Sequence, residues 1–574
     1  MDDRQLTLRT IAERAEQLGE TRPVVTRRPD GSIHRTTLAA SAARARRLAG
    51  ALRALGIGEG DVVATLLHNQ AEHLELYLAV PTMGAVLHTL NPRLHPQQLD
   101  LIAADGAGRT IVVDASLLGT LRRMRARFEH VVVVSADGAR SAISARSQRP
   151  VSPHSRPQGR VSPHSRPQGP VSGSSPASEE QATLPAGALD YESMLRSTPL
   201  DWPDLSERLP AMMCHTSGTT GRPKGVVHSH RALLLHALVA SLPDVLGVGA
   251  RDVVMPVVPM FHANAWGLPH AAALCGAALV LPGPRTDALS LLELLSRERV
   301  TVTAGVPTVW MSVLEALDAE PSRFDLRSLR RVRLGGSAPS RSLLEAFDRH
   351  GIPVDQGWGM TETAPLATVC LSEGDGAPMP EGDRALAAEQ LERRLRQGAA
   401  IPLVELRARG RDGELIPWDD KAMGELEVRG PWVVSAYHGG VGADSFTEDG
   451  WLRTGDVVRI DRRGAIRVCD RAKDLVRSGG EWISSVELEN HLMCHRSVAE
   501  AAVVAVPDER WGERPLAAVV LRDGMRVTPE ELRQHLRRRF ERWQLPDRIE
   551  LVASIPRTAT GKFQKAELRR RFAG

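Results

Sequence analysis

The chain is poor in the features that mark secreted, membrane-spanning or nucleic-acid-binding proteins. It has five cysteines in 574 residues, and Cys214, Cys275, Cys370, Cys469 and Cys494 fall at no pair spacing. That scatter excludes a disulfide framework and a paired-cysteine zinc site, and it fits a reducing cytoplasm. No run of eighteen apolar residues exists, and the opening MDDRQLTLRT has no apolar core. A spanning helix and a secretory signal are therefore not expected, while peripheral membrane contact stays open. Charge of one sign is scarce as well: the formal net charge is +4, too little to imply a nucleic-acid partner. The arginine runs at 537–539 and 569–571 read as solvated helix faces. What remains is the composition of a globular protein, 42% hydrophobic and 25% charged, with length enough for several domains.

Residues 1 to about 140 alternate amphipathic helical patterns with short apolar strands such as Val62–Leu67 and Thr110–Val113. A compositional break follows. The nine residues Val151–Gly159 recur word for word at Val161–Gly169, rich in Pro, Ser, Gly and Arg and without a hydrophobic face. Such a stretch cannot bury enough apolar surface to offset its ordering entropy, so 141–187 is expected to be a disordered insertion. Strand and helix patterns alternate again from Ala211: strands at Arg251–Val258, Val300–Thr303, Val332–Leu334 and near Ile352–Val354, helices at Thr308–Leu317 and Ser342–Phe347. Repeated strand–helix units predict an α/β fold with mainly parallel sheets and ligands at the strand ends. The last hundred residues read as a small α+β domain. Ser484–Glu487 is a predicted capping box, strands follow at Ala501–Val506, Leu516–Leu521 and Arg548–Ile555, and Thr528–Glu531 caps a further helix.

Ten residues carry the most chemistry: Thr216, Ser217, Gly218, Thr219, Thr220, Gly221, Arg222, Pro223, Lys224 and Gly225. Glycines let the backbone turn several amides toward one anion, hydroxyls add donors or oxygen ligands for Mg²⁺, and Lys224 adds a mobile charge. Read as strand, loop and helix, with the strand at Ala211–Cys214 and the helix over Arg231–Val239, the segment is a phosphate-handling arrangement, although it is no Walker A loop. Three further loops accompany it: Gln356–Thr363, which combines Trp358 with glycines, a hydroxyl and Glu362; Trp451–Asp456, an acid after a tight turn; and Pro556–Lys562, a lysine at a glycine-loosened tip.

Together, and in this order, the four loops resemble the core motifs of the adenylate-forming superfamily of acyl-CoA synthetases, aryl-CoA ligases, luciferases and peptide-synthetase adenylation domains. The resemblance runs from about Gly56 to Lys562. Pro259–Trp266 and Ser478–Ser485 look most like the medium- and long-chain fatty acid–CoA ligases. The resemblance implies a large N-terminal AMP-binding domain (1–470) of mainly parallel sheets flanked by helices, with a small β-barrel-like subdomain, and a small mobile α+β C-terminal domain (471–574). It implies ATP-dependent conversion of a carboxylic acid to acyl-AMP and pyrophosphate, followed by thioester formation with coenzyme A. An aryl-CoA ligase, an enzyme loading an acyl carrier protein and a non-catalytic binding homologue are the alternatives. A cytoplasmic homodimer is the implied assembly.

The implied roles follow residue by residue. Lys562 is the catalytic lysine; Thr216 to Lys224 hold the β- and γ-phosphates; Thr361 meets the α-phosphate; Glu362, helped by the Thr216 hydroxyl, binds Mg²⁺. Gly336, Gln356 and Gly357 surround the nucleotide, and Asp456 accepts from the ribose hydroxyls. Trp358 matches the aromatic against adenine, with a core tryptophan as the plain alternative. Arg471 and Lys473 stand at the joint, Lys473 as hinge. The Gly479–Gly480 loop opens the pantetheine channel in a second orientation of the small domain, Lys473 and Trp482 match positions that contact the acyl-adenylate or its surroundings, and Arg477 stands where a lysine is frequent. Ala263 and Trp266 belong to the acyl side, where Trp266 is a tunnel gate or an ordinary core tryptophan. His262 either contacts substrate or is structural.

Overall fold

The computed structural model describes residues 4–135, 185–216, 223–370, 384–557 and 563–572. The insertion 141–187 expected to be disordered, with its repeat, lies outside these residues except for its end, where Pro185–Gly187 form a turn before the short strand Leu189–Asp190.

Among the described residues, seven strands form one sheet in the order Leu189–Asp190, His130–Val134, Thr110–Asp114, Val62–Leu66, Val86–Thr89, Pro210–His215, Gly225–Ser229. All neighbours run parallel except the last two. Parallel strands need crossovers, and the helices Ala71–Thr82 and Pro96–Gly106 provide two of them. A second sheet of nine strands has a parallel centre, running from Val354–Gly359 through Arg331–Leu334, Val302–Gly305, Val253–Pro256 and Ala278–Leu281 to Pro23–Arg27. Antiparallel strands close both its edges.

Helix Ala71–Thr82 lies between the two sheets and has no exposed face: all twelve residues are buried. Its sequence therefore lacks the amphipathic stripe of a surface helix. Its buried carboxylates sit beside arginines, Glu72 with Arg28 at 2.8 Å and Glu75 with Arg44 at 2.7 Å, though burial still pushes Glu75 up to about 7.

A third sheet is antiparallel, its strands Glu405–Arg409, Gly424–Arg429, Leu452–Ile460 and Ile466–Arg471 pairing in chain order. The fourth belongs to the small domain. It joins Glu481–Ile483, Val476–Ser478, Gly512–Leu521 and Val498–Asp508, with Arg548–Leu551 added in parallel to Gly512–Leu521. Helices Ser485–Met493 and Pro529–Leu536 cover one face over an apolar core of their own, including Leu488, Leu492, Val503, Ala517 and Leu532.

Four local expectations change. Glycines and the strand-end position suggested a loop at Gln356–Gly359, but these residues continue the strand that starts at Val354, because Gly357 and Trp358 pair with Val369 and Thr368. Asp456 likewise lies within a strand, opposite Arg471. The strand predicted to reach Ile555 ends at Leu551. The capping box at Ser484–Glu487 is only half made: Ser484 Oγ accepts from the Glu487 amide, but the Glu487 carboxylate is taken by Arg459 at 3.0 Å. The box at Thr528–Glu531 is complete in both directions.

Candidate active site

The phosphate-loop candidate is a hairpin loop, not a strand-to-helix turn. Between Pro210–His215 and helix His230–Ala240 the chain forms a further strand, Gly225–Ser229, antiparallel to the first. The β-branched pair Val226–Val227 drives it. The helix starts only after Ser229, whose hydroxyl caps the Ala232 amide, so its N-terminus is not the anion site. The loop's neck is closed by Thr216: its amide donates to the Lys224 carbonyl at 3.1 Å, and its hydroxyl accepts from the Lys224 amide at 3.3 Å. Ser217, Gly218, Thr219, Thr220 and Gly221 lie outside the described residues.

Behind the neck, His215 Nε2 contacts Asp105 at 2.8 Å and its Nδ1 contacts His88 Nε2 at 3.1 Å. Burial lowers both histidines, His88 to about 3, so the chain leaning on the loop is an imidazole pair with no charge of its own.

The second strand-end element follows Gly359. The short turn Thr361–Thr363 presents Glu362, which is buried, and the Glu362 carbonyl accepts from the Val434 amide at 3.0 Å. His228, from the hairpin above, contacts the Thr361 carbonyl at 2.9 Å and so ties the two loops together. Glu362 Oε1 accepts from the Tyr437 hydroxyl at 2.6 Å. Burial raises the Glu362 pKa above its usual range, while the Tyr437 hydrogen bond and the charges of Arg471 and Lys224 pull it down. Lys224 Nζ lies over the Tyr437 ring, 4.4 Å from its centroid, and donates to Ser445 Oγ at 3.4 Å. Tyr437 and Ser445 were not anticipated; the glycine-rich turn His438–Gly442 was the only local signal for them.

Trp358 and Asp456 meet directly: the indole N–H donates to Asp456 Oδ2 at 2.9 Å, and Arg471 Nε pairs with Oδ1 at 2.8 Å. Trp358 is 9% exposed, so its ring is largely part of the interior. Gln356 is turned inward, its amide donating to the Arg394 carbonyl and accepting from Gln397. Of the nucleotide-side expectations, Gln356 therefore has only backbone to offer. Gly357 leaves no room for a side chain, since a Cβ there would lie 2.8 Å from the Thr368 carbonyl oxygen. Gly336 adopts φ +79°, the left-handed region open to glycine.

Ala263, Asn264, Ala265 and Trp266 all have φ between 43° and 56°, a full turn of left-handed backbone ending at Gly267. This turn lays the Trp266 ring on Gly335, where even a methyl group would sit 2.7 Å from the indole. Non-glycine residues reach this region only when their surroundings hold them there.

The small domain contributes a hairpin. Arg477 pairs with Trp482 across it, Gly479 donates to the Trp511 carbonyl at 2.8 Å, and Gly480 has φ +90°. Among the described residues no hydrogen bond or ion pair joins this hairpin to Glu362, Asp456 or Lys224. The Lys473 carbonyl accepts from Arg569 at 3.1 Å, and burial lowers the Lys473 ammonium pKa. Lys562 lies outside the described residues; an isolated bridge between Arg557 and Phe563 brackets its loop.

No helix among the described residues is long and apolar enough to cross a membrane. The five thiols are unpaired.

Comparison with known proteins agrees with this geometry. Residues 11–438 match the family model described as AMP-binding enzyme, and 487–562 match the AMP-binding enzyme C-terminal domain. A long-chain-fatty-acid–CoA ligase from Thermus thermophilus is 44% identical over 100% of this chain and 96% of its own. A 3-methylmercaptopropionyl-CoA ligase from Ruegeria pomeroyi is 39% identical over 95% of this chain and 93% of its own. Among solved structures, o-succinylbenzoate CoA synthetase from Bacillus subtilis, in complex with its acyl-adenylate intermediate, superposes with a TM-score of 0.73, 25% identity and 98% coverage of both chains. The strand-end loops, the small α+β domain and these matches lead to one conclusion: the chain belongs to the AMP-binding enzyme family, within the adenylate-forming superfamily.

Proposed function

We propose that the protein is a fatty acid–CoA ligase, forming acyl-AMP and pyrophosphate from ATP and then the acyl thioester of coenzyme A. The observation that carries this reading is two neighbouring groups, Lys224 and Glu362 held on Tyr437, and Trp358 and Arg471 held on Asp456, with Arg471 near enough for its charge to lower the Glu362 pKa. The fatty acid ligase that is 44% identical supports the acyl class.

In the first step two anions approach, so charge compensation dominates the barrier. Lys224 and the amides of its loop meet the triphosphate, and Thr361 orients the α-phosphate. Mg²⁺ fits the site. Glu362 is a buried carboxylate whose Oε1 accepts from Tyr437, and among the described residues no side chain donates to Oε2, so it is suited to a hard cation that keeps waters and phosphates as its other ligands. Bound there, Mg²⁺ would neutralise phosphate charge. Lys562 delivers an ammonium to the oxygen where charge builds. In the second step the small domain, divided from the large one at 470/471, turns about Lys473 and brings the Arg477–Trp482 hairpin to the site. We place the enzyme in the cytoplasm as a homodimer.

A second reading, a ligase for short acids, draws on the 3-methylmercaptopropionyl-CoA ligase relative. Pyrophosphate release measured with acids from 3-methylmercaptopropionate to palmitate, with ATP and CoA, separates the two. The largest kcat/KM is expected on an aliphatic chain of eight carbons or more. No release with any acid would overturn the ligase reading. In the same assay Lys562→Ala is expected to lose at least about a thousandfold in adenylation, yet to keep most of the transfer from supplied acyl-adenylate to CoA. Equal loss in both would rule out domain rotation.

A further inference from the structure

We propose that Tyr437 is a positioning residue for the adenylation half-reaction, which holds the Glu362 carboxylate and the Lys224 ammonium apart and aimed into the site. The proposal rests on the reading of this site as one for MgATP. Tyr437 touches both groups with different parts of one side chain. Its hydroxyl donates to Glu362 Oε1 at 2.6 Å, and its ring face carries Lys224 Nζ at 4.4 Å from the centroid.

A carboxylate and an ammonium this close to one ring would otherwise pair with each other, and MgATP would have to break that pair. Among the described residues no ion pair joins Glu362 to Lys224: the ammonium lies over the Tyr437 ring and donates to Ser445, and the carboxylate accepts from the Tyr437 hydroxyl. Instead, Tyr437 satisfies one oxygen of Glu362 and leaves Oε2 for a cation. The ring gives the ammonium a cation–π resting place, weaker than a carboxylate and easily exchanged for phosphate oxygens.

The surroundings keep this arrangement in register. Tyr437 is 7% exposed, with Phe446 packed 5.7 Å from its ring. Ser445 Oγ accepts a hydrogen bond from Lys224 Nζ at 3.4 Å. Gly442, at φ +70°, leaves the space that the lysine tip fills: a Cβ there would lie 2.5 Å from Lys224 Nζ and 3.2 Å from Tyr437 Cδ2. The Val434 amide, three residues before Tyr437, also holds the Glu362 backbone, so the tyrosine and the carboxylate share one anchor.

The test uses the full-length protein and its Tyr437→Phe and Tyr437→Leu variants, with ATP binding followed by calorimetry in the absence of any acid. For Tyr437→Phe, the Mg²⁺ concentration for half-saturation is expected to rise about tenfold, the worth of one hydrogen bond to a charged group. Its affinity for ATP in EDTA is expected to match the wild type, because the ring still holds Lys224. Tyr437→Leu is expected to bind Mg-free ATP several-fold more weakly as well. Transfer from supplied acyl-adenylate to CoA should stay within about twofold in both. A Tyr437→Phe protein that titrates Mg²⁺ like the wild type would overturn the role of Tyr437 and leave the proposed function standing. So would a fall in transfer that parallels the fall in ATP binding. A wild-type protein that binds no MgATP would instead remove the reading on which both rest.

Discussion

At the scale of single residues, close packing around the site leaves some positions no freedom. Gly359 ends the strand that carries Trp358, and a Cβ on it would lie 1.6 Å from the Pro365 carbonyl oxygen and 2.7 Å from its carbonyl carbon. Those atoms are backbone and cannot rotate away. Gly359→Ala should therefore push the Thr361–Thr363 turn off the strand end, lowering stability by about 2–3 kcal/mol and weakening MgATP binding along with it. Thermal melts and ATP titrations check this; a variant that melts and binds like the wild type would show that the turn is not clamped as described. The candidate residues themselves could be picked out from the sequence, because Thr216, Lys224, Thr361, Glu362 and Asp456 each stand in a short string of distinctive chemistry. The links between them could not. The Trp358–Asp456 bond spans 98 residues, and the Tyr437–Glu362 bond spans 75. Tyr437 itself sits in no string that announces chemistry.

At the scale of elements, strands with β-branched runs and helices with good caps were recoverable from pattern, and their ends were not. The hairpin strand Gly225–Ser229 was missed because five residues between a glycine-rich loop and a helix read as a connection. Its pairing is decided by the strand Pro210–His215 beside it. Helix Ala71–Thr82 has no polar face to give a period, since it is covered on all sides. The half-made capping box of helix Ser485–Met493 shows tertiary contacts outranking a local motif. Here the helix start is docked on strand Ile466–Arg471. The Ser485 amide donates to Asp470 Oδ2 at 2.6 Å and the Ser485 hydroxyl at 2.5 Å, while Ser484 donates to the Cys469 carbonyl. Lys565, paired with Glu489 at 2.6 Å, is buried against the same group, and the Asp470 charge helps hold it protonated. Asp470→Ala leaves three donors, the Ser485 amide and hydroxyl and the Arg471 amide, and part of an ammonium unmatched, an expected cost of roughly 3 kcal/mol. Because the loss falls on the seam, limited proteolysis between residues 470 and 485 should speed up before global melting changes. Cleavage at the wild-type rate would mean that the seam does not depend on this carboxylate.

At the scale of the whole molecule, the fold class follows from the alternation of strands and helices, but the way the sheets share their buried polar groups does not. Histidine shows this best. Six of the nineteen histidines are buried and held far below their usual pKa: His73, His228, His230 and His270 at about 4, His88 and His236 at about 3. Burial is the largest cause for each, because the low-dielectric interior disfavours the imidazolium. Several also hold neighbouring parts of the large domain through a ring nitrogen. His230 accepts from the Leu8 amide, His236 accepts from the Leu366 amide, and His228 contacts the Thr361 carbonyl. In the unfolded chain the same rings protonate near pH 6.5. Between about pH 6.5 and 4 the unfolded state therefore binds more protons than the native one, and stability falls as pH falls. Above pH 7 both states hold these rings neutral, and this contribution is flat. The protein should lose melting temperature steeply on acidification from pH 7 to 5, with several protons taken up per molecule unfolded, and the loss should be indifferent to ATP and acid substrates alike. His270→Asn and His73→Gln give the internal control. Each removes one titrating ring, so each should flatten the slope of stability against pH by up to one proton while lowering stability at pH 7.5. A slope in the variants identical to the wild type's, measured by melts across that range, would show that these rings are already charged inside the fold.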